Sequence, residues 1–259
     1  MHDALDSSYP TDQAHGLRQM FAHARVRFVP VVANPHIAFG GVMLERLCTA
    51  FSEQGAHVLV IDAGERSPLP HEMAEVELGE CVETLSQQVS YLAARGLPVR
   101  YVDAQGSTAS FLQAAADAAP QADVVLVHAT ESDLCRLFVR SEARPLLLAD
   151  DRPSSVTHAY AAMKLLNQRA GLMVFDLLLC AAPTSPRAER IAMQLATCAD
   201  SFLGAVLRDW LQLDPASDAR EPTTSALRRW ARDVLVQPPG GYLPVAGLHG
   251  AAASQYALN

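Results

Sequence analysis

The feature that most restricts the fold is an alternation. Apolar runs with no polar residue at every second position recur at 27–33, 57–62, 99–103, 123–128, 144–149 and 173–180, with one more strand at 209–213. Amphipathic patterns of helical period lie between them, at 42–53, 77–95, 108–118, 132–140, 154–169 and 186–199. A strand that is apolar on both sides must be buried on both faces, and a helix between two such strands is what a parallel crossover needs. The sequence therefore predicts an α/β fold, a mostly parallel sheet with helices on both faces. The chain has 259 residues, half of them hydrophobic, which is ample for one large domain of this kind.

Four parts follow from composition shifts. Residues 1–25 are expected to be a flexible start followed by a helix from about Gln13 to Ala24, capped by Thr11 or Asp12. Residues 26–215 form the α/β domain. Residues 216–236 are a polar linker and a second amphipathic helix, and 237–259 are a small-residue tail expected to lack fixed structure. The formal net charge of -8 opposes general nucleic-acid binding, and no nucleic-acid partner is expected. The five cysteines (Cys48, Cys81, Cys135, Cys180, Cys198) show no CxxC pair and read as reduced thiols. With no leader and no apolar run as long as a membrane span, the expected location is cytoplasmic.

Several chemistries are missing. The "HEMAE" stretch at His71 has Glu75 where a zinc-protease motif has its second histidine, no other His/Cys grouping has metal-ligand spacing, and no GxSxG occurs. No bound metal is expected. Asp150 and Asp151 suit turn and capping roles at a strand end, and His128 stands at another strand end as a candidate base or a substituted position. Of the 20 basic residues, Lys164 is the one lysine. Any mechanism that needs a lysine elsewhere is excluded.

The stretch "VVANPHIAFGGVMLERLCTAF", residues 31–51, has the strand–loop–helix layout of a phosphate-binding loop. Such a loop wraps phosphate in backbone N–H groups, adds a lysine for the β/γ oxygens and a hydroxyl for magnesium. Here Pro35 removes a donor, Ile37 and Phe39 add bulk, and neither lysine nor hydroxyl is in place. The GxGxxG alternative is absent as well. The residues alone leave two readings, a decayed nucleotide site and a plain strand-to-helix turn.

Two helices have interaction character. In the first, Gln13, Leu17, Met20 and Ala24 share a face with Phe21 beside them, so a glutamine leads an apolar stripe. In the second, 225–236, Leu227, Trp230, Ala231, Val234 and Leu235 form one face and Arg228, Arg229, Arg232 and Asp233 the other. This amphipathic helix, with a basic polar face and one tryptophan, is expected to dock on its own domain, over the place ATP would occupy, or to touch a membrane reversibly.

Three stretches resemble one family. "DQAHGLRQMF" (12–21) is similar to the DQAxxLR start of FlhG, the MinD/ParA-like regulator of bacterial flagella. "DRPSSVTHAYAAMKLL" (151–166) resembles the PEPTSLTDAYALIKLL-type segment of that family, and "GAHVLVIDAGE" (55–65) its second strand with a terminal aspartate. The resemblance spans most of the chain from Thr11 to Val236. It implies a P-loop NTPase-like architecture of the MinD/ParA type and a role in flagellar number or placement. It also implies that Asp12, Gln13, Ala14, Leu17 and Arg18 engage FlhF, a signal-recognition-particle-type GTPase, and stimulate its GTP hydrolysis. Gln13 would orient the attacking water there. Other flagellar components are further expected partners, and the cell pole or inner membrane a peripheral location.

The departures matter as much. Against the family loop KGGVGKT, the first lysine falls on His36, the second on Gly41 and the threonine on Val42, and only Gly40 is kept. Asp62 remains, but Gly64 stands where the family has a second aspartate, and a strand that normally ends in aspartate ends in His128. The expectation is a regulator without ATPase activity, with neither ATP nor magnesium as cofactor. Two rivals stay open: an ATP-dependent switch with an unorthodox loop, and a MinD-like scaffold for another envelope machine such as cellulose secretion.

Overall fold

A computed structural model describes residues 26–75, 77–218 and 220–237. Its sheet has the strand order β3-β4-β2-β5-β1-β6-β7-β8. The strands are β1 (Arg27–Val32), β2 (Val58–Ala63), β3 (Glu83–Thr84), β4 (Val89–Ala93), β5 (Val124–Ala129), β6 (Leu146–Asp150), β7 (Val174–Cys180) and β8 (Val206–Leu213). All neighbours pair in parallel except the short β3, which runs antiparallel to β4 at one edge. Val29, Val31 and Val32 of β1 and the "VVLV" run of β5 are buried, as an apolar strand covered on both faces requires. β1 pairs with β6 only through Val31 and Val32, so Pro30, which has no N–H to give, falls just before that ladder begins.

The helices sort into two layers. One face of the sheet meets α3 (Ala109–Ala118), α4 (Glu131–Leu137), α5 (Pro153–Ala170) and α6 (Ala188–Cys198), through residues such as Phe111, Leu134, Met163, Leu166 and Leu195. The other meets α1 (Gly40–Ser52) through Met43, Leu47 and Phe51, and α7 (Ser225–Val236) through Leu227, Trp230 and Val234. A one-turn helix, α2 (Leu97–Arg100), lies between β4 and α3.

The sequence expectation fails in one region. The helix expected over 77–95 is replaced by 3-10 turns at Glu72–Glu75 and Leu78–Cys81 followed by the β3–β4 hairpin. Ser86 explains the break: its Oγ accepts hydrogen bonds from the N–H groups of Gln88 and Val89, which a helix would direct elsewhere. The free edge of β2 then takes β4 as its partner from Val58 to Asp62. The strand expected at 99–103 is absent too. Gly96, at φ 78, turns the chain into α2, and Pro98 sits in its first turn. The last helix covers 225–236 as expected, its N-terminus capped by the Thr224 side chain.

Candidate functional site

β1, β2 and β5 end side by side, and their carboxyl ends open on a cavity of about 310 Å³. In an open parallel sheet the crevice at the carboxyl ends, where chain connections diverge to either side, is the usual ligand position. β1 is that divergence point, flanked by β5 and β6. Ala33, Asn34, Pro35, Ile37 and Ala38 of the loop after β1, the first turn of α1 (Gly40, Gly41), Asp62, Gly64, Ser67, His128, Glu131 and His158 all face this space.

At its base sits a carboxylate bonded to three protein side chains. Asp62 Oδ1 lies 2.7 Å from His128 Nδ1 and also accepts from the Ser67 hydroxyl, and Oδ2 accepts from the Tyr91 hydroxyl at 3.0 Å. Asp62 and His128 side chains are each 14% exposed. Burial pushes the Asp62 carboxyl up, but the bonds from His128, Ser67 and Tyr91 outweigh it, so it is held below the usual aspartate range. Burial and the Asp62 charge push the Tyr91 hydroxyl up, so Tyr91 stays a donor. Ser67 bonds to the carboxylate rather than to the imidazole, so the three side chains do not form a nucleophile–base relay.

Gly64 belongs to the same arrangement. A Cβ placed on it would lie 3.0 Å from His128 Cε1, 3.0 Å from Ser67 Oγ and 3.3 Å from His128 Nδ1. The imidazole therefore occupies the space that a side chain at position 64 would need. The two departures noted in the sequence, Gly64 and His128, are one packing event.

The loop after β1 is tied down from three directions. Asn34 Nδ2 donates to the Leu148 carbonyl at 2.8 Å and to Ser155 O and Oγ at 3.0 and 3.1 Å, while its Oδ1 accepts from the His36 N–H. Arg152, paired with Asp150, donates to the His36 carbonyl. His158 Nε2 lies 3.2 Å from the Ala33 carbonyl, and the His36 and His158 rings meet edge-on at 5.7 Å. Gly40, Gly41 and Val42 form the first turn of α1, with no side-chain cap at Phe39. His36 itself is exposed.

The other singled-out residues lie elsewhere. Lys164 is exposed on α5, as a solvated helix face requires. On α7, Leu227, Trp230 and Val234 are buried, while Arg229 and Arg232 are exposed and Arg228 is half-buried. α7 does not cover the cavity. It lies against the carboxyl half of α1, with Trp230 on Phe51, and none of its residues lines the cavity. The apolar face is wide enough to fill the open side of β6–β8, which is where it docks. Asp12, Gln13, Ala14, Leu17 and Arg18 fall outside the described residues, as does the chain beyond Gln237. Sequence reasoning missed Ser67, Tyr91, Asn34, Arg152 and His158. Only Ser67 carried a local signal, five residues after Asp62 in "DAGERS".

Solved structures place the architecture. A ParA family ATPase from Chlorobium tepidum superimposes with a TM-score of 0.54 at 13% identity, covering 81% of this chain and 98% of that one. The fold is that of the MinD/ParA proteins. MinD from Aquifex aeolicus gives a TM-score of 0.53 at 13% identity over 82% of this chain and 97% of its own. MinD from Pyrococcus horikoshii, solved with Mg-ADP, gives 0.52 at 15% identity over 81% and 96%. At such identities the likeness concerns the MinD/ParA fold alone. No protein-family model matches the chain. Among curated proteins, the antiactivator FleN of Pseudomonas aeruginosa is 32% identical over 102 residues. That stretch is 39% of this chain and 36% of FleN, so the two are compared over little more than a third of either length. The resemblance to FlhG-like MinD/ParA proteins read from the sequence is supported by this relative.

Proposed function

We propose that this protein is an FlhG-like regulator of flagellar number or placement whose nucleotide site no longer works as an ATPase. The observation that carries the second part is the Asp62 environment. A metal-bound nucleotide at this place would need a carboxylate free to face it, a lysine for the phosphates and a hydroxyl for the ion. Asp62 is instead engaged by His128, Ser67 and Tyr91, a side chain at position 64 would crowd the His128 ring, and Gly41 and Val42 offer neither amine nor hydroxyl. These residues do not fit magnesium and ATP. The loop is held by Asn34, Arg152 and His158, so phosphate is not needed to order it.

The regulatory part rests on the FleN match and on the DQAxxLR segment at 12–18. On this reading the segment delivers Gln13 to an FlhF-like GTPase and raises its GTP turnover, with Leu17 and its neighbours as anchor. The test is a turnover assay of such a GTPase mixed with the full chain. Stimulation that disappears in Gln13→Ala supports the reading, and turnover indifferent to the protein refutes it. The rival ATP-driven switch draws on the same fold but lacks the loop lysine and hydroxyl that such a site uses.

A further inference from the structure

The amino ends of the strands form an exposed apolar edge on the side of the molecule opposite the cavity. A parallel crossover returns each helix to that edge, so helix ends and strand starts meet there. Val139 follows the end of α4, and the next residue, Arg140, donates its N–H to Ala170 at the end of α5. α5 also packs on the turn 199–203 that closes α6, and this turn carries Phe202, 75% exposed. Beyond it, Val174 of β7 pairs with Val206 of β8, and the Val206 N–H donates to the Met173 carbonyl at 2.8 Å. Val139, Met173, Val174 and Val206 are exposed as well. Large apolar side chains gathered in this way mark an interaction surface. Its rim is basic. Arg27 of β1 donates to the Gln237 carbonyl at 3.2 Å, and the Gln237 side-chain oxygen accepts from Arg144 at 2.9 Å and from Arg208 at 2.8 Å. Arg140 and Arg169 are exposed nearby.

We propose that residues 13–24 of the same chain dock on this edge. They lie outside the described residues, and their sequence supplies the fit. Leu17, Met20, Phe21 and Ala24 stand at i, i+3, i+4 and i+7, an apolar stripe on one helix face. The chain enters β1 at the amino edge, and only Arg25 separates Ala24 from the buried Val26. From β1 to β8 the sheet takes three steps, through β6 and β7, about 14 Å at the usual strand spacing. A helix over 13–24 is about 18 Å long, enough to cross them. So short a tether gives a local concentration on the order of millimolar, an advantage that no outside partner shares. Charge agrees with the reach. Asp3, Asp6 and Asp12 precede Arg18 with no lysine or arginine among them, and a helix that crosses toward β1 places Asp12 on the β8 side, where Arg208 stands. Docked in this way, Gln13 and its stripe are withheld from any outside partner. The docking itself needs nothing from the flagellar reading.

Hydrogen exchange on the full chain tests it, in the parent, in Phe202→Asp and in Leu17→Asp. A helix this short is marginal by itself in water, so protection of its amides reports docking. The parent is expected to slow exchange at 17–24 by at least about tenfold over an unstructured chain. Each variant is expected to lose most of that protection, with the amides of β5 unchanged. Phe202 is exposed, so its replacement leaves the core intact. Unprotected amides at 17–24 in the parent overturn the proposal, and so does protection that Phe202→Asp leaves in place. Protection that falls on dilution gives the edge to a second copy of the chain. Protection of 241–257 in place of 17–24 gives it to the C-terminal tail, and protection that appears only with phosphatidylglycerol vesicles gives it to a membrane. Each of these three results overturns the proposal as well.

Discussion

Replacing Gly64 by alanine is the sharpest local test of the site. The φ of Gly64 lies outside the left-handed region, so the backbone accepts alanine without strain. At such a position the exchange normally stabilises by about 0.4–1 kcal/mol, because the unfolded chain loses freedom. Sterics here oppose that gain. The new methyl would sit 3.0 Å from both His128 Cε1 and Ser67 Oγ, so both must shift by a few tenths of an ångström while bonded to Asp62. Overpacking costs about 1–3 kcal/mol, which leaves a net loss of roughly 1–2 kcal/mol. For a chain of this size that lowers Tm by about 2–8 °C. The assay is thermal and urea unfolding of Gly64→Ala, His128→Ala and the double variant. Removing the imidazole opens the space, so Gly64→Ala should become neutral or stabilising in the His128→Ala background, with an interaction of at least about 1 kcal/mol. If Gly64→Ala is as stable as the parent, or its cost persists without His128, the reasoning that ties the two residues together is wrong.

Other expectations follow from the same contacts. Tyr91→Phe removes one donor from Asp62 and should cost about 0.5–1.5 kcal/mol in urea unfolding, with no change of fold by circular dichroism. The Asp62 carboxyl is held below its unfolded value, so its stabilising effect is present above about pH 4 and is lost as pH falls through the folded value. Acid unfolding of Asp62→Asn should therefore be shallower than that of the parent over this acid range, and identical profiles would contradict the assignment.

Much of the fold was legible because the strands β1, β2, β5, β6 and β7 are apolar without alternation, and nothing but a covered parallel sheet accommodates that. The β3–β4 hairpin was not legible for a specific reason. Leu78, Val82, Leu85, Val89 and Leu92 are spaced by four and three residues, a helical rhythm, yet Leu85 is 61% exposed and Leu92 is fully buried. The rhythm is accidental, and the Ser86 turn with the open edge of β2 overrode it. The site divides in the same way. Asp62 and His128 announced themselves as polar residues at the ends of apolar strands. That Tyr91 and Ser67 would satisfy Asp62, or that Arg152 and His158 would tie the loop, depends on contacts between segments far apart in sequence. Gly64 is the instructive case: as a departure from the family pattern it was visible, but its cause, the imidazole of His128, exists only in three dimensions.

A site that no longer works as an ATPase should take no metal-bound nucleotide into the cavity. Isothermal titration of the full chain with Mg-ATP measures that. No saturable heat is expected at protein concentrations where a micromolar ligand would be plain, and the same result for the Asn34→Ala variant. Saturable micromolar binding to the parent would contradict it, and would mean that the Asp62–His128 pair opens to admit the ligand.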